Sequence, residues 1–100
     1  MFYLTKYQPE AIECMPVLSK FYGIVIRMIF IRPFEAHFHA IYERWELIVG
    51  ISPLAIIQGD APSRVKKMVL EWASQHQPEL LDDWDRCRLA LPPLPIEPLR

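Results

Sequence analysis

Glycine is scarce, with three residues in one hundred. Three isolated glycines cannot build a phosphate-cradling loop, and they do not suit a glycine-hinged multidomain enzyme. Cysteine is scarcer still. Cys14 and Cys87 lie far apart with no C-x-x-C, which excludes a zinc ribbon or a thioredoxin-like motif. A short secreted scaffold would carry more cysteine. A basic excess is also missing: eleven Lys and Arg face twelve Asp and Glu, for a net charge of −1. Phosphate neutralisation supplies much of the affinity for nucleic acid, so this balance argues against nucleic acid as a direct, high-affinity ligand. The longest apolar runs are Phe21–Ile31, interrupted by Arg27, and Leu47–Ile57, broken by Gly50 and Pro53. Both fall well short of the ~20 residues a spanning helix needs. Met1–Cys14 contains Lys6, Glu10 and Glu13 and has no apolar segment of signal-peptide length. The chain therefore reads as soluble and cytoplasmic, without a membrane partner. No serine sits in G-x-S-x-G, which excludes a nucleophile elbow.

What is abundant is apolar mass and proline. Hydrophobic residues make up 52% of the chain, which rules out a disordered chain of low hydrophobicity and high net charge. One hundred residues make one domain at most, burying roughly 65% of the unfolded surface. The ten prolines are twice the ordinary share of about 5%. Pro9 and Pro16 bracket an aperiodic leader, and Pro92, Pro93, Pro95 and Pro98 make the C-terminus extended. The domain plan is an N-terminal extension over 1–14, a single α+β domain over 15–91 and a proline-rich extended tail over 92–100.

Between these ends the period changes once. Residues 22–32 are dense in β-branched and aromatic types and read as a strand, ending at Pro33. Alternation over 35–42 places Ala36, Phe38, Ala40 and Tyr42 on one face and Glu35, His37, His39 and Ile41 on the other. Glu43-Arg44 is a turn, 45–51 a third strand, Ser52-Pro53 a second turn and 54–58 a fourth strand. Short connections imply an antiparallel meander, since parallel strands need long crossovers. After Pro62 the period becomes helical. Val65, Val69, Trp72, His76, Leu80, Trp84, Cys87 and Leu91 form one stripe. Pro78 divides it, since an interior proline costs ~3 kcal/mol. Helices are expected over 62–76 and 78–90, with Glu79 at the second start and Arg86 and Arg88 at its end. The fold class is α+β: a curved antiparallel sheet of about four strands with C-terminal helices packed on one face.

The chemistry is concentrated in Glu35-Ala36-His37-Phe38-His39. Alternate strand residues share a face with Cα atoms ~6.6 Å apart. Two imidazoles and a carboxylate at that spacing form a recognised set for a divalent metal. His37 and His39 are equally the candidates for acid/base work near neutral pH. The plainer reading is a half-exposed strand face carrying two histidines. His76 reads as a hydrogen-bonded helix-end residue, and Trp72, Trp84 and Cys87 as core. Arg64, Lys66 and Lys67 cluster apart from Glu79, Asp82, Asp83 and Asp85. These acids read as a solvated helix surface, with an acidic patch for a basic partner as the alternative.

From Met15 the sequence resembles a bacterial family, the domain of unknown function numbered four thousand one hundred and sixty. Met15-Pro16-Val17-Leu18-Ser19-Lys20-Phe21-Tyr22-Gly23-Ile24-Val25-Ile26-Arg27-Met28 resembles its typical start. His37-Phe38-His39-Ala40-Ile41-Tyr42 matches the second half of its Asn-Pro-Pro-His-Phe-His-Ala signature with the following Ile-Tyr. Val69-Leu70-Glu71-Trp72, His76, Glu79-Leu80-Leu81, Trp84 and Ile96-Glu97-Pro98-Leu99 continue the pattern, so the resemblance spans 15–99. The chain departs where Pro33 replaces a family histidine and Phe34-Glu35-Ala36 replaces Asn-Pro-Pro. A histidine trio is thereby reduced to a pair. Glu43 stands at the family's turn glycine, and Pro78 has no counterpart. The family start implies that residues 1–14 are an extension. The gene arrangement of such proteins, beside a second small gene, implies a protein-interaction module within a toxin–antitoxin-like pair. Its partner would be the neighbouring gene product. The first strand, apolar on both faces, suggests a homodimer instead. The alternative activity is a histidine- or metal-dependent, ribonuclease-like hydrolase using Glu35, His37 and His39.

Overall fold

The structure, a computed structural model, describes residues 16–30 and 35–100. The expected extension over 1–14 and Pro33 itself lie outside the described residues; the strand expected to run to residue 32 ends at Arg27. Among these residues five strands form one antiparallel sheet in the order of the chain: β1 (Val17–Phe21), β2 (Ile24–Arg27), β3 (His37–Tyr42), β4 (Trp45–Ile51) and β5 (Leu54–Asp60). Two helices follow, α1 (Ser63–Gln75) and α2 (Gln77–Arg88). The protein is an α+β meander with C-terminal helices, as the change of period indicates.

The strand count is five rather than about four, because residues 17–21, ahead of the strand expected over 22–32, form β1 and pair with β2 in a hairpin. Tyr22 and Gly23 both have positive φ, 51° and 80°. Two successive left-handed residues make the tight turn whose twist matches paired strands. Tyr22 therefore sits in the turn, β1 precedes it and β2 ends at Arg27. An unbroken run of β-favouring side chains conceals a turn that only Gly23 announces. The other hairpins fall at Glu43-Arg44 and at Ser52-Pro53, whose peptide bond is cis.

The alternation of each strand determines what meets the helices. Ile24, Ile26, Phe38, Ala40, Leu47, Val49 and Ile51 are buried with Val65, Val69, Trp72, Leu80 and Cys87 in one core. Trp72 stands at its centre, fully buried, with ring centroids 5.5 Å from Phe21 and 5.7 Å from Phe38. The helical stripe is correct through Cys87, but Leu91 is exposed because α2 ends at Arg88. His76 is the joint: it terminates α1 and precedes α2, with Pro78 in the first turn, where its missing N–H removes no helical bond. The Gln77 amide donates to the Ile51 carbonyl at 2.6 Å, tying the start of α2 to the end of β4.

The residues after Leu91 contain no regular secondary structure, yet they are anchored. The Ile96 N–H donates to the Leu18 carbonyl on β1 at 2.8 Å. The Trp72 indole N–H donates to the Glu97 carbonyl, also at 2.8 Å. Ile96 is buried and Leu99 packs against the core. The segment is a strap that runs from α2 past Trp72 to the β1 edge.

Candidate functional site

β3 places His37 and His39 on the sheet face opposite Phe38 and Ala40. Their rings lie 5.2 Å apart, centroid to centroid. Both are buried, His37 fully and His39 to 4% exposure, so the half-exposed strand face expected from alternation is closed. Trp84 of α2 contributes to this, with its ring 5.0 Å from His37 and 5.1 Å from Phe30.

Each imidazole is oriented by an oxygen. Nδ1 of His37 donates to the Glu35 carbonyl at 2.8 Å. A carbonyl can only accept, so Nδ1 carries the proton and Nε2 the lone pair in the neutral ring. Nδ1 of His39 lies 2.8 Å from Oε2 of Glu46, and a carboxylate imposes the same tautomer. Nε2 of His39 is buried with no hydrogen-bond partner among the described residues. Burial pushes the His37 pKa below its ordinary 6.5; the Glu35 carbonyl opposes this, and the neighbouring His39 adds to it. Burial thus favours the neutral His37 ring over the imidazolium.

The sequence placed three residues here, and two of them meet. Glu35 takes part through its backbone carbonyl. The carboxylate that reaches a histidine is that of Glu46, which the sequence reading did not select. Its signal lies in the register: with the turn at Glu43-Arg44, Ile41 opposes Glu46 and His39 opposes Ile48, so Glu46 is the diagonal neighbour of His39 on the same face. Arg27 opposes His39 from β2. Among the described residues, no group of three or more His, Cys, Asp or Glu side chains gathers to hold a metal ion.

The acidic helix surface also differs from expectation. Asp83 is buried to 2% exposure rather than solvated. Its Oδ1 accepts the Leu94 N–H at 2.8 Å, because the strap folds over this side of α2. Burial raises its pKa above 3.8, the Leu94 N–H opposes that, and Asp82 adds to the rise. His76 is a half-buried helix-end residue, 2.5 Å from Oε1 of Glu79, as its position suggests.

A five-stranded meander with two C-terminal helices, and on β3 an oriented histidine pair whose first ring meets Trp84 of α2, defines a small α+β domain. The chain belongs to the family described as Domain of unknown function (DUF4160), whose sequence profile matches residues 23–85. That segment runs from the β1–β2 turn to the last turns of α2, narrower than the 15–99 of the resemblance, and leaves out β1 and the strap. No curated protein and no solved structure matches the chain. No helix among the described residues is long and apolar enough to cross a membrane.

Proposed function

We propose that the protein is a cytoplasmic protein-interaction module, one component of a toxin–antitoxin-like gene pair, and that its partner adds a strand to β5. The inequality of the two sheet edges carries this reading. The β1 edge is capped by the strap through Ile96. β5, seven residues long, is hydrogen-bonded by β4 alone among the described residues. An uncovered edge offers unpaired N–H and C=O groups to an incoming strand, and side chains beside it supply specificity. Ile57, 47% exposed, sits on that strand where an apolar side chain serves no internal core.

The test is co-expression with the product of the adjacent gene, followed by co-purification. A complex is expected, and Ile57→Lys should dissolve it while the isolated variant keeps its circular dichroism spectrum. Sedimentation of the protein alone distinguishes a second copy of this chain as the occupant. Absence of both a complex and a concentration-dependent dimer would overturn the proposal.

A second reading, ribonuclease-like hydrolysis at the Glu35, His37 and His39 strand face, is favoured by one observation: both Nδ1 atoms are held by oxygens, which fixes both neutral rings in the tautomer with its lone pair on Nε2. The same orientation suits a divalent metal, whose histidine ligands usually donate their second nitrogen to an oxygen. Burial of both rings weighs against substrate access. Metal-free protein by elemental analysis, together with unchanged RNA degradation in the doubly substituted His37→Ala, His39→Ala variant, would eliminate it.

A further inference from the structure

The strap and α2 enclose a cleft of about 110 Å³ lined by Glu79, Asp82, Asp83, Leu94, Pro95 and Ile96. Three carboxylates border it, and one of them is out of the ordinary for a helix surface. Asp83 is 2% exposed, and while Oδ1 accepts the Leu94 N–H, Oδ2 has no hydrogen-bond partner among the described residues. A buried carboxylate oxygen without a donor is costly, so a donor supplied from outside gains what the fold forgoes. Arg86, on the same helix, favours the Asp83 charge from nearby but gives Oδ2 no hydrogen bond, and its Nε donates to the Pro92 carbonyl. Among the described residues, Glu79 is engaged through Oε1, by His76.

The shape of the site selects among cations. The three carboxylates do not gather as a metal-holding set, which disfavours a bare ion that needs its oxygens at one centre. A planar guanidinium spreads five donors across several acceptors and is weakly hydrated, so it tolerates a half-buried site better than an ammonium. Leu94, Pro95 and Ile96 give the alkyl stem of such a group an apolar wall.

We infer that the cleft between α2 and the strap is a binding site for a guanidinium group, held by Asp83 and Asp82 with the stem against Leu94 and Ile96. None of these residues lies on β5, so the site is independent of the edge-strand reading above. An arginine of a partner chain and a small free guanidinium compound share this chemistry.

Titration of the full chain with N-acetyl-arginine amide, followed by the backbone amide signals of Leu94 and Ile96, tests the site. Saturable shifts of those two signals are expected. Asp83→Asn keeps an oxygen for the Leu94 N–H but removes the charge, and should weaken binding about tenfold. Asp82→Asn, on the exposed side, should weaken it about threefold without disturbing the fold, and serves if Asp83→Asn fails to fold. A pentapeptide centred on arginine that binds more tightly than the free amide identifies a partner chain as the source; equal affinity identifies a small molecule. Absence of saturation, equal binding of N-acetyl-lysine amide, or undiminished binding in both variants would overturn the inference.

Discussion

Gly59 shows how one missing side chain governs the sheet. Its φ is +96°, and a Cβ there would lie 2.1 Å from the Glu46 carbonyl oxygen on β4. Backbone cannot yield to that contact as a flexible side chain could. Gly59→Ala should therefore destabilise by about 3 kcal/mol or more, combining left-handed strain with displacement of the β4–β5 pairing. A shifted urea midpoint with unchanged slope would be the expected record. His37 makes the residue scale sensitive to pH. With its folded pKa below 6.5, the unfolded chain binds the proton first on acidification. The contribution of the neutral ring to stability is complete above pH 6.5 and is lost as pH falls through the window below it. Denaturation curves taken from pH 7.5 down to 5 should show a slope that His37→Gln flattens. Asp83, with its raised pKa, acts in the opposite sense, losing stability as pH rises from 3.8.

Among the elements, α2 ends in a way that invites improvement. Leu91 N–H reaches the Arg86 carbonyl at 2.7 Å and Ala90 N–H the Cys87 carbonyl at 3.0 Å, the paired bonds of a left-handed helix stop. The left-handed residue is Ala90, with φ of 61°, where glycine would be free of Cβ strain. Ala90→Gly is expected to raise stability by about 1 kcal/mol, read as a higher thermal midpoint. The α1–α2 joint was legible in the sequence because Pro78 interrupts a helical stripe with a strong local rule. The β1–β2 hairpin was not. Its turn uses Tyr22, a residue that rarely adopts positive φ, in a run whose composition favours strand throughout. Periodicity reports which face a side chain takes, and a two-residue reversal between Ser19-Lys20-Phe21 and Ile24-Val25-Ile26 leaves the period almost unmarked.

At the scale of the whole molecule the strap joins the two ends of the described fold. It caps the β1 edge, satisfies the Trp72 indole and closes over Asp83. Deleting residues 92–100 exposes part of the core around Ile96 and orphans a buried donor on Trp72. The loss is about 3 kcal/mol and should lower the thermal midpoint by roughly 10–20 °C. A truncated protein as stable as the full chain would show that the strap is not part of the folded unit. Alternation, the change of period after Pro62 and the scarcity of glycine were enough to determine an antiparallel sheet followed by two helices. They also located His37 and His39 on a shared face, since local backbone geometry and hydrophobic periodicity act over neighbouring residues. The partners of those histidines, the burial of Asp83 and the inequality of the two sheet edges were decided by tertiary structure. Each depends on which distant segment arrives beside it: Glu46 through the β3–β4 register, Leu94 through the return of the strap, and the inequality of the edges because the strap reaches β1 while β5 pairs with β4 alone among the described residues.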